Sequence, residues 1–195
     1  MLYDRIIRGR IYKFLYGRDR AVVPILPSEA KVILDVGCGT GFATRELARI
    51  GDAIGIDKEI RFLRAAKASK AGAFILGDAS RLPFNGGTFD LICMYDLLHH
   101  HVEPEGAIRE AKRVLKEHGH LFVKDVKKCL RAEYYLNIVA DCFEFVLYRC
   151  PLKSYFSEGE WKKLLKGFDE ESFSSFKNEI FFLGEKTGSL SKETT

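Results

Sequence analysis

Two groups of residues in the first half of the chain have types and spacing suited to chemistry. The first is a set of acids near the ends of apolar runs. Asp35 lies in Val32-Ile-Leu-Asp-Val36, just ahead of the turn Gly37-Cys-Gly-Thr-Gly41; Asp57 closes Ala53-Ile-Gly-Ile; Asp78 follows Ala73-Phe-Ile-Leu-Gly. Alternate glycines between an apolar run and a helix-like pattern leave bare N–H groups, next to a helix N-terminus, where a polar ligand can approach. The second group, Asp96, His99, His100 and His101, follows Leu91-Ile-Cys-Met-Tyr95. It offers a carboxylate and imidazoles able to take a proton near neutral pH.

The elements that must position these groups follow from periodicity. Strand-like runs occur at Val32 to Val36, Ala53 to Ile56, Ala73 to Leu76, Leu91 to Met94 and Leu121 to Val126. Between them, Ala43 to Ile50, Ile60 to Lys70 and Glu105 to Lys116 carry apolar residues three and four apart. Gly51, Gly72 and Gly119 follow as expected helix C-termini. Such alternation predicts a parallel sheet covered by helices on both faces, an α/β fold of Rossmann-like type. Ser157-Glu-Gly-Glu160 reads as a capping box opening a helix through Lys166. Runs around Ser172 to Phe176 and Ile180 to Gly184 read as a terminal antiparallel pair, which brings the sheet to seven strands.

One domain is expected over residues 1–195. Its parts are an N-terminal helical cap (1–28), a ligand-binding core (29–126), a helical insert (127–168), a terminal strand pair (169–187) and a polar tail (188–195). The cap carries Tyr3, Ile7, Ile11, Phe14 and Leu15 on one side of an amphipathic helix. The insert holds Tyr134, Tyr135, Phe143, Phe145, Tyr148, Tyr155 and Phe156, enough aromatic area to wall a pocket.

The glycine turn discriminates between nucleotide ligands. No Gly-Lys-Ser/Thr follows it, which excludes a Walker loop. Counting from Gly37, the sixth position is Phe42 rather than glycine or alanine, which weakens a dinucleotide pyrophosphate reading. Asp57, at the carboxyl end of the second strand, is placed to accept from both ribose hydroxyls. Asp78 is placed to face an exocyclic amine such as that of adenine.

In order and spacing, Val32 to Gly41, Gly55-Ile-Asp57, Gly77-Asp-Ala-Ser-Arg-Leu-Pro-Phe84 and Phe89-Asp-Leu-Ile-Cys-Met-Tyr-Asp-Leu-Leu-His-His100 resemble class I S-adenosylmethionine-dependent methyltransferases. The likeness is greatest to the ubiquinone/menaquinone-biosynthesis type and runs on through Ala107 to Leu121. The resemblance implies S-adenosyl-L-methionine as cofactor and S-adenosyl-L-homocysteine as product. It implies a cofactor-binding turn of Gly37, Cys38, Gly39 and Gly41 cradling the methionine part, with Asp35 near its amino group. Asp57 would hold the ribose, Asp78 the adenine amine with the Ala79 amide close to the ring, and Met94 and Tyr95 would line the methyl-bearing sulfur. Lys58 departs from the apolar residue this family commonly places after the ribose acid; its alkyl stem can still cover a ring face.

For chemistry, Asp96, His99 and His100 are the candidate catalytic residues, of use where the acceptor atom loses a proton. No metal site is expected, because adjacent histidines fan out on a turn. The expected reaction is methyl transfer to a small, partly apolar acceptor. Two alternatives stand beside it. Arg8, Arg10, Lys13, Arg18 and Arg20, with Tyr12 and Tyr16, could make a basic rim for RNA, and the chain could be a cofactor-binding regulatory module without turnover.

Bulk composition sets looser bounds. The 31 basic and 27 acidic residues of this 195-residue chain give a net charge of +4, which permits an anionic partner without demanding one. Five cysteines without a CxxC pair argue for a reducing, cytoplasmic setting. No run reaches the ~18 uninterrupted apolar residues of a membrane span.

Overall fold

The computed structural model describes residues 26–27, 29–68, 72–101, 103–128, 156–176 and 179–187. The strands are β1 (Val32–Val36), β2 (Asp52–Asp57), β3 (Ala73–Leu76), β4 (Phe89–Tyr95), β5 (Leu115–Val126), β6 (Asp169–Phe176) and β7 (Glu179–Glu185). They form one seven-stranded sheet in the order β3-β2-β1-β4-β5-β7-β6. β1 to β5 pair in parallel, while β7 runs antiparallel to both β5 and β6. This is the α/β sheet that the sequence pattern predicts, with the terminal pair reversed as expected.

Alternation within each strand explains why both faces are covered. Leu34 and Val36 of β1, Ile92 and Met94 of β4, and Leu121 and Val123 of β5 enter one core cluster. Ile33, Leu91, Cys93 and Phe122 enter the other. Helix α3 (Pro104–Val114) packs Ala107, Ile108, Ala111 and Val114 into the first cluster, a stripe at three- and four-residue spacing. The second cluster receives Leu47 from α1 (Phe42–Leu47), together with Leu26 and Ala30. Helix α2 (Ile60–Lys67) buries Leu63 and Ala66 beside Phe74 and Cys38. Full burial of each large side chain contributes about 1.5–3 kcal/mol.

Helix α4 (Glu158–Leu164) begins at the expected capping box. The Ser157 hydroxyl accepts from the Glu160 amide, and the Glu160 carboxylate accepts from the Ser157 amide. Trp161 is wholly enclosed, donates from Nε1 to the Val126 carbonyl at 3.2 Å, and meets Phe156 edge-on. These contacts fix α4 against the carboxyl end of β5.

Three boundary expectations are corrected. The third helix stops at Val114 and β5 starts at Leu115, instead of a helix to Lys116 and a strand from Leu121. Leu115 is fully buried and pairs with Phe89, whereas His120 pairs with Leu91, so polar residues 116–119 bulge out of the ladder. Nor are Gly51 and Gly119 left-handed helix caps. A Cβ on Gly51 would lie 2.7 Å from the Ala30 carbonyl oxygen, and one on Gly119 would lie 3.1 Å from that of Phe89. These glycines admit close backbone approach instead. Gly72 does have a positive φ of 86°, but its helix already ends at Lys67. Most of the expected N-terminal cap, the aromatic stretch 129–155 and the tail 188–195 lie outside the described residues.

Candidate functional site

The sheet reverses its winding between β1 and β4, and in open α/β sheets ligands bind outside the carboxyl ends of the strands at such a point. The glycine turn leaves β1 there. Gly37, Gly39 and Gly41 all have positive φ, at 75°, 51° and 73°. The Gly37 and Cys38 amides both donate to the Ile56 carbonyl, at 2.8 and 3.0 Å, which folds the turn over β2. A Cβ on Gly37 would come within 2.6 Å of Leu97, and one on Gly41 within 2.6 Å of the Phe74 ring. Gly39 differs: a Cβ there would meet nothing within 4 Å. Two glycines are therefore packed by neighbours and the middle one borders open space.

That space adjoins Asp57. Its Oδ2 accepts from the Gly39 amide and its Oδ1 from the Glu59 amide, each at 2.8 Å. An ionised carboxylate has about four acceptor positions, so each oxygen keeps capacity for a further donor. Burial pushes the Asp57 carboxyl above its usual value, against the pull of those two amides. A fixed acceptor pair beside open backbone suits a vicinal diol, so the residues fit a ribose-bearing cofactor.

Asp35 lies beneath the turn. It is 1% exposed, and its Oδ2 accepts from the Thr44 hydroxyl at 2.5 Å. Burial pushes its carboxyl up to about 7, although the Thr44 hydroxyl and amide oppose the rise. Enclosed there, it braces β1 against α1 through Thr44. Met94 has its side chain wholly inside the main core and presents its backbone at the end of β4. Tyr95 is half-buried, its ring 5.5 Å from Phe122. Cys38 is buried, and burial raises its thiol, so it is an inert packing residue of the turn.

At the end of β3, Asp78 Oδ1 accepts from the Ser80 amide at 2.8 Å, and the Arg81 amide donates to the Asp78 carbonyl at 3.0 Å. The side chain thus shapes the turn with one oxygen. Ala79 is buried beside it, and Lys58 is exposed. His101 is within electrostatic reach of Lys58 and Asp78: burial and then Lys58 lower its basicity, while Asp78 and Asp125 partly restore it.

The turn after β4 carries the catalytic candidates, and two residues unnoticed in the sequence hold it. Asp96 has a left-handed φ of 48°, and both its carboxylate oxygens accept from Lys124 Nζ at 3.0 Å. Lys124 is 4% exposed and also pairs with Glu179 at 2.9 Å. His99 is 4% exposed, with Nδ1 2.5 Å from Oδ1 of the fully buried Asp125. Asp125 also accepts from the Leu98 and Val126 amides, at 2.8 and 2.7 Å. Burial works against the Asp125 charge, but His99 and these amides outweigh it and hold the carboxyl below its usual value. His100 is half-buried and stacks on His99 with ring centroids 4.2 Å apart. Asp96 and His99 are therefore committed to partners within the protein. His100 lies in the same short turn, Leu98–His100. The signal for the missed pair is Lys124-Asp125 itself, two charges inside the otherwise apolar strand Leu121-Phe-Val-Lys-Asp-Val126.

With this geometry in view, residues 34–123 match the family model described as a methyltransferase domain. A demethylmenaquinone methyltransferase of Thermotoga maritima is 34% identical over 137 residues, covering 64% of this chain and 60% of that protein. A ubiquinone biosynthesis O-methyltransferase of Caulobacter vibrioides is 29% identical over 162 residues, covering 80% and 62%. The chain thus spans about three fifths of the length of these curated relatives. Among solved structures, a methyltransferase of Thermotoga maritima described as a possible histamine N-methyltransferase superposes with a TM-score of 0.72 at 26% identity, over 95% of each chain.

Proposed function

We propose that this chain is a class I S-adenosylmethionine-dependent methyltransferase that transfers a methyl group to a small, partly apolar acceptor. The family's cofactor is S-adenosyl-L-methionine, which supplies an electrophilic methyl on a sulfonium. The observation that carries the reading is the Asp57 carboxylate, oriented by the Gly39 and Glu59 amides beside the open backbone of Gly39. Asp57 takes the ribose hydroxyls, and the exposed Asp78, whose Oδ1 already serves the turn, takes the adenine amine through its other oxygen. Lys58 covers a face of the adenine ring with its alkyl stem.

Because the methyl is already activated, the residues' main tasks are alignment and exclusion of water. Where the acceptor atom loses a proton, His100 takes it. The buried His99–Asp125 pair and the Lys124–Asp96 pair position the turn that carries it. The named relatives act on demethylmenaquinone and on a ubiquinone precursor oxygen, and the solved neighbour is linked to histamine. Those names favour a ring-bearing small molecule here. We read 29–126 as the cofactor-binding core and 169–187 as the strands that close the sheet. Buried Cys38 and Cys93, both free thiols, favour a reducing, cytoplasmic setting; among the described residues no helix is long and apolar enough to cross a membrane.

The test is release of S-adenosylhomocysteine from S-adenosylmethionine in the presence of hydroquinone-type and heteroaromatic amine acceptors. Acceptor-dependent release supports the proposal. Tight cofactor binding with no release on any acceptor class would favour a binding module.

A further inference from the structure

At the opposite end of β5 from the crevice, His120, Glu171 and Glu185 bring one nitrogen and two carboxylate oxygens within 4.8 Å of one another. The three lie on three adjacent strands. His120 on β5 is paired directly with Glu185 on β7. Glu171 is the extra residue of a bulge in β6, where the register shifts between Glu170 and Ser172. Bulges re-aim side chains, and the Glu171 carboxylate reaches past β7 to His120, Oε1 to Nε2 at 3.1 Å. A fourth group joins from the preceding bulge: His118, at a left-handed φ of 63°, sets Nδ1 2.5 Å from Glu185 Oε1.

We propose that His120, Glu171 and Glu185 form a binding site for a divalent transition ion, zinc in the first instance. One imidazole and two carboxylates suit a borderline ion; magnesium and calcium prefer oxygen alone. His120 Nε2 and one oxygen from each glutamate are the ligands. His118 donates from Nδ1 to Glu185 and orients it, as supporting partners of metal ligands do. Metal–ligand bonds of about 2.0–2.2 Å put tetrahedral ligand atoms roughly 3.4 Å apart, so the pairs with Glu185 must close by at most about 1.4 Å while His120 and Glu171, at 3.1 Å, open slightly. The side chains of Glu171 and Glu185 are 42% and 31% exposed and have room to make that movement. The bound ion cross-links β5, β7 and β6, pinning the terminal antiparallel pair to the parallel sheet. His120 precedes Lys124 by four residues, about 13 Å along the strand, so the site is separate from the crevice and does not rest on the methyltransferase reading. The expectation of no metal concerned Asp96 and the three adjacent histidines after β4. His118, His120, Glu171 and Glu185 are scattered in sequence and meet only through the strand order.

The experiment uses the full chain after dialysis against a chelator, titrated with Zn²⁺ against a competing indicator, and separately with Co²⁺ followed by visible absorption. The proposal expects one equivalent bound, a higher melting temperature, and cobalt d–d bands without a thiolate charge-transfer band. His120→Ala and the isosteric Glu171→Gln should each weaken binding by more than the roughly 10- to 100-fold that loss of a supporting partner costs. Both should leave affinity for S-adenosylhomocysteine unchanged. Absence of uptake, uptake retained in both variants, or a thiolate band would each overturn it.

Discussion

The three glycines of the turn after β1 should separate on substitution by alanine, because their surroundings differ. All three need a left-handed backbone, which costs an alanine roughly 1–2 kcal/mol. At Gly39 that is the whole cost, since a Cβ meets nothing within 4 Å. Partial compensation from a less flexible unfolded chain leaves about 1 kcal/mol, or a melting temperature lower by roughly 2–4 °C for a chain of this size. At Gly41 and Gly37 the Cβ also lands 2.6 Å from Phe74 and from Leu97. Overpacking there adds about 1–3 kcal/mol, and the drop should at least double. Binding should rank the other way. The Gly39→Ala methyl projects into the space beside Asp57, so affinity for S-adenosylhomocysteine should fall at least about tenfold, a loss near 1.4 kcal/mol, in a protein still folded. Scanning calorimetry and isothermal titration on the three variants read both quantities. A Gly39→Ala protein that binds as tightly as the parent would refute the placement of the ligand over this turn.

Asp57→Ala should fold and lose at least about tenfold in cofactor affinity by titration, because charge-assisted hydrogen bonds contribute about 1.5–3 kcal/mol each; unchanged affinity would remove its ribose role. Asp35→Asn tests the buried carboxyl. The folded carboxyl titrates at about 7 against 3.8 unfolded, so the neutral form is favoured in the fold. Its contribution to stability is complete below about pH 4 and is lost as pH rises through about 7, for a total on the order of 4 kcal/mol. Urea unfolding should show the parent's stability falling relative to Asp35→Asn across that window, and a flat difference would contradict this. His100→Ala should lower the rate of methyl transfer by roughly 100-fold or more for an acceptor that loses a proton, with cofactor affinity unchanged in parallel titrations. Asp125→Asn should instead destabilise the protein by roughly 3 kcal/mol by unfolding titration, since it removes a buried carboxylate that His99 and the Leu98 and Val126 amides all bond.

The sheet was legible because its information is local. Val32 to Val36 and Leu91 to Met94 are apolar on both faces, and only a covered parallel strand accommodates that. The position of Asp57 at the carboxyl end of β2 was legible for the same reason. What escaped was set by contacts distant in sequence. Asp35 reads as a strand-end acid, and only the fold brings Thr44, nine residues later, to donate to it. Lys124 and Asp125 read as part of a strand, and only the pairing of β4 with β5 brings them beside Asp96 and His99. The start of β5 was missed because Leu115 continues the helical period of α3, and tertiary burial, not period, decides that it leaves the helix.

The account stands most directly on what the crevice binds. Isothermal titration of the full chain with S-adenosylmethionine, S-adenosylhomocysteine and NAD, alongside Asp57→Ala, measures it. The account predicts binding of the first two, no binding of NAD, and weakened binding in the variant. Failure of well-folded protein to bind S-adenosylmethionine or S-adenosylhomocysteine, or preference for NAD, would contradict it.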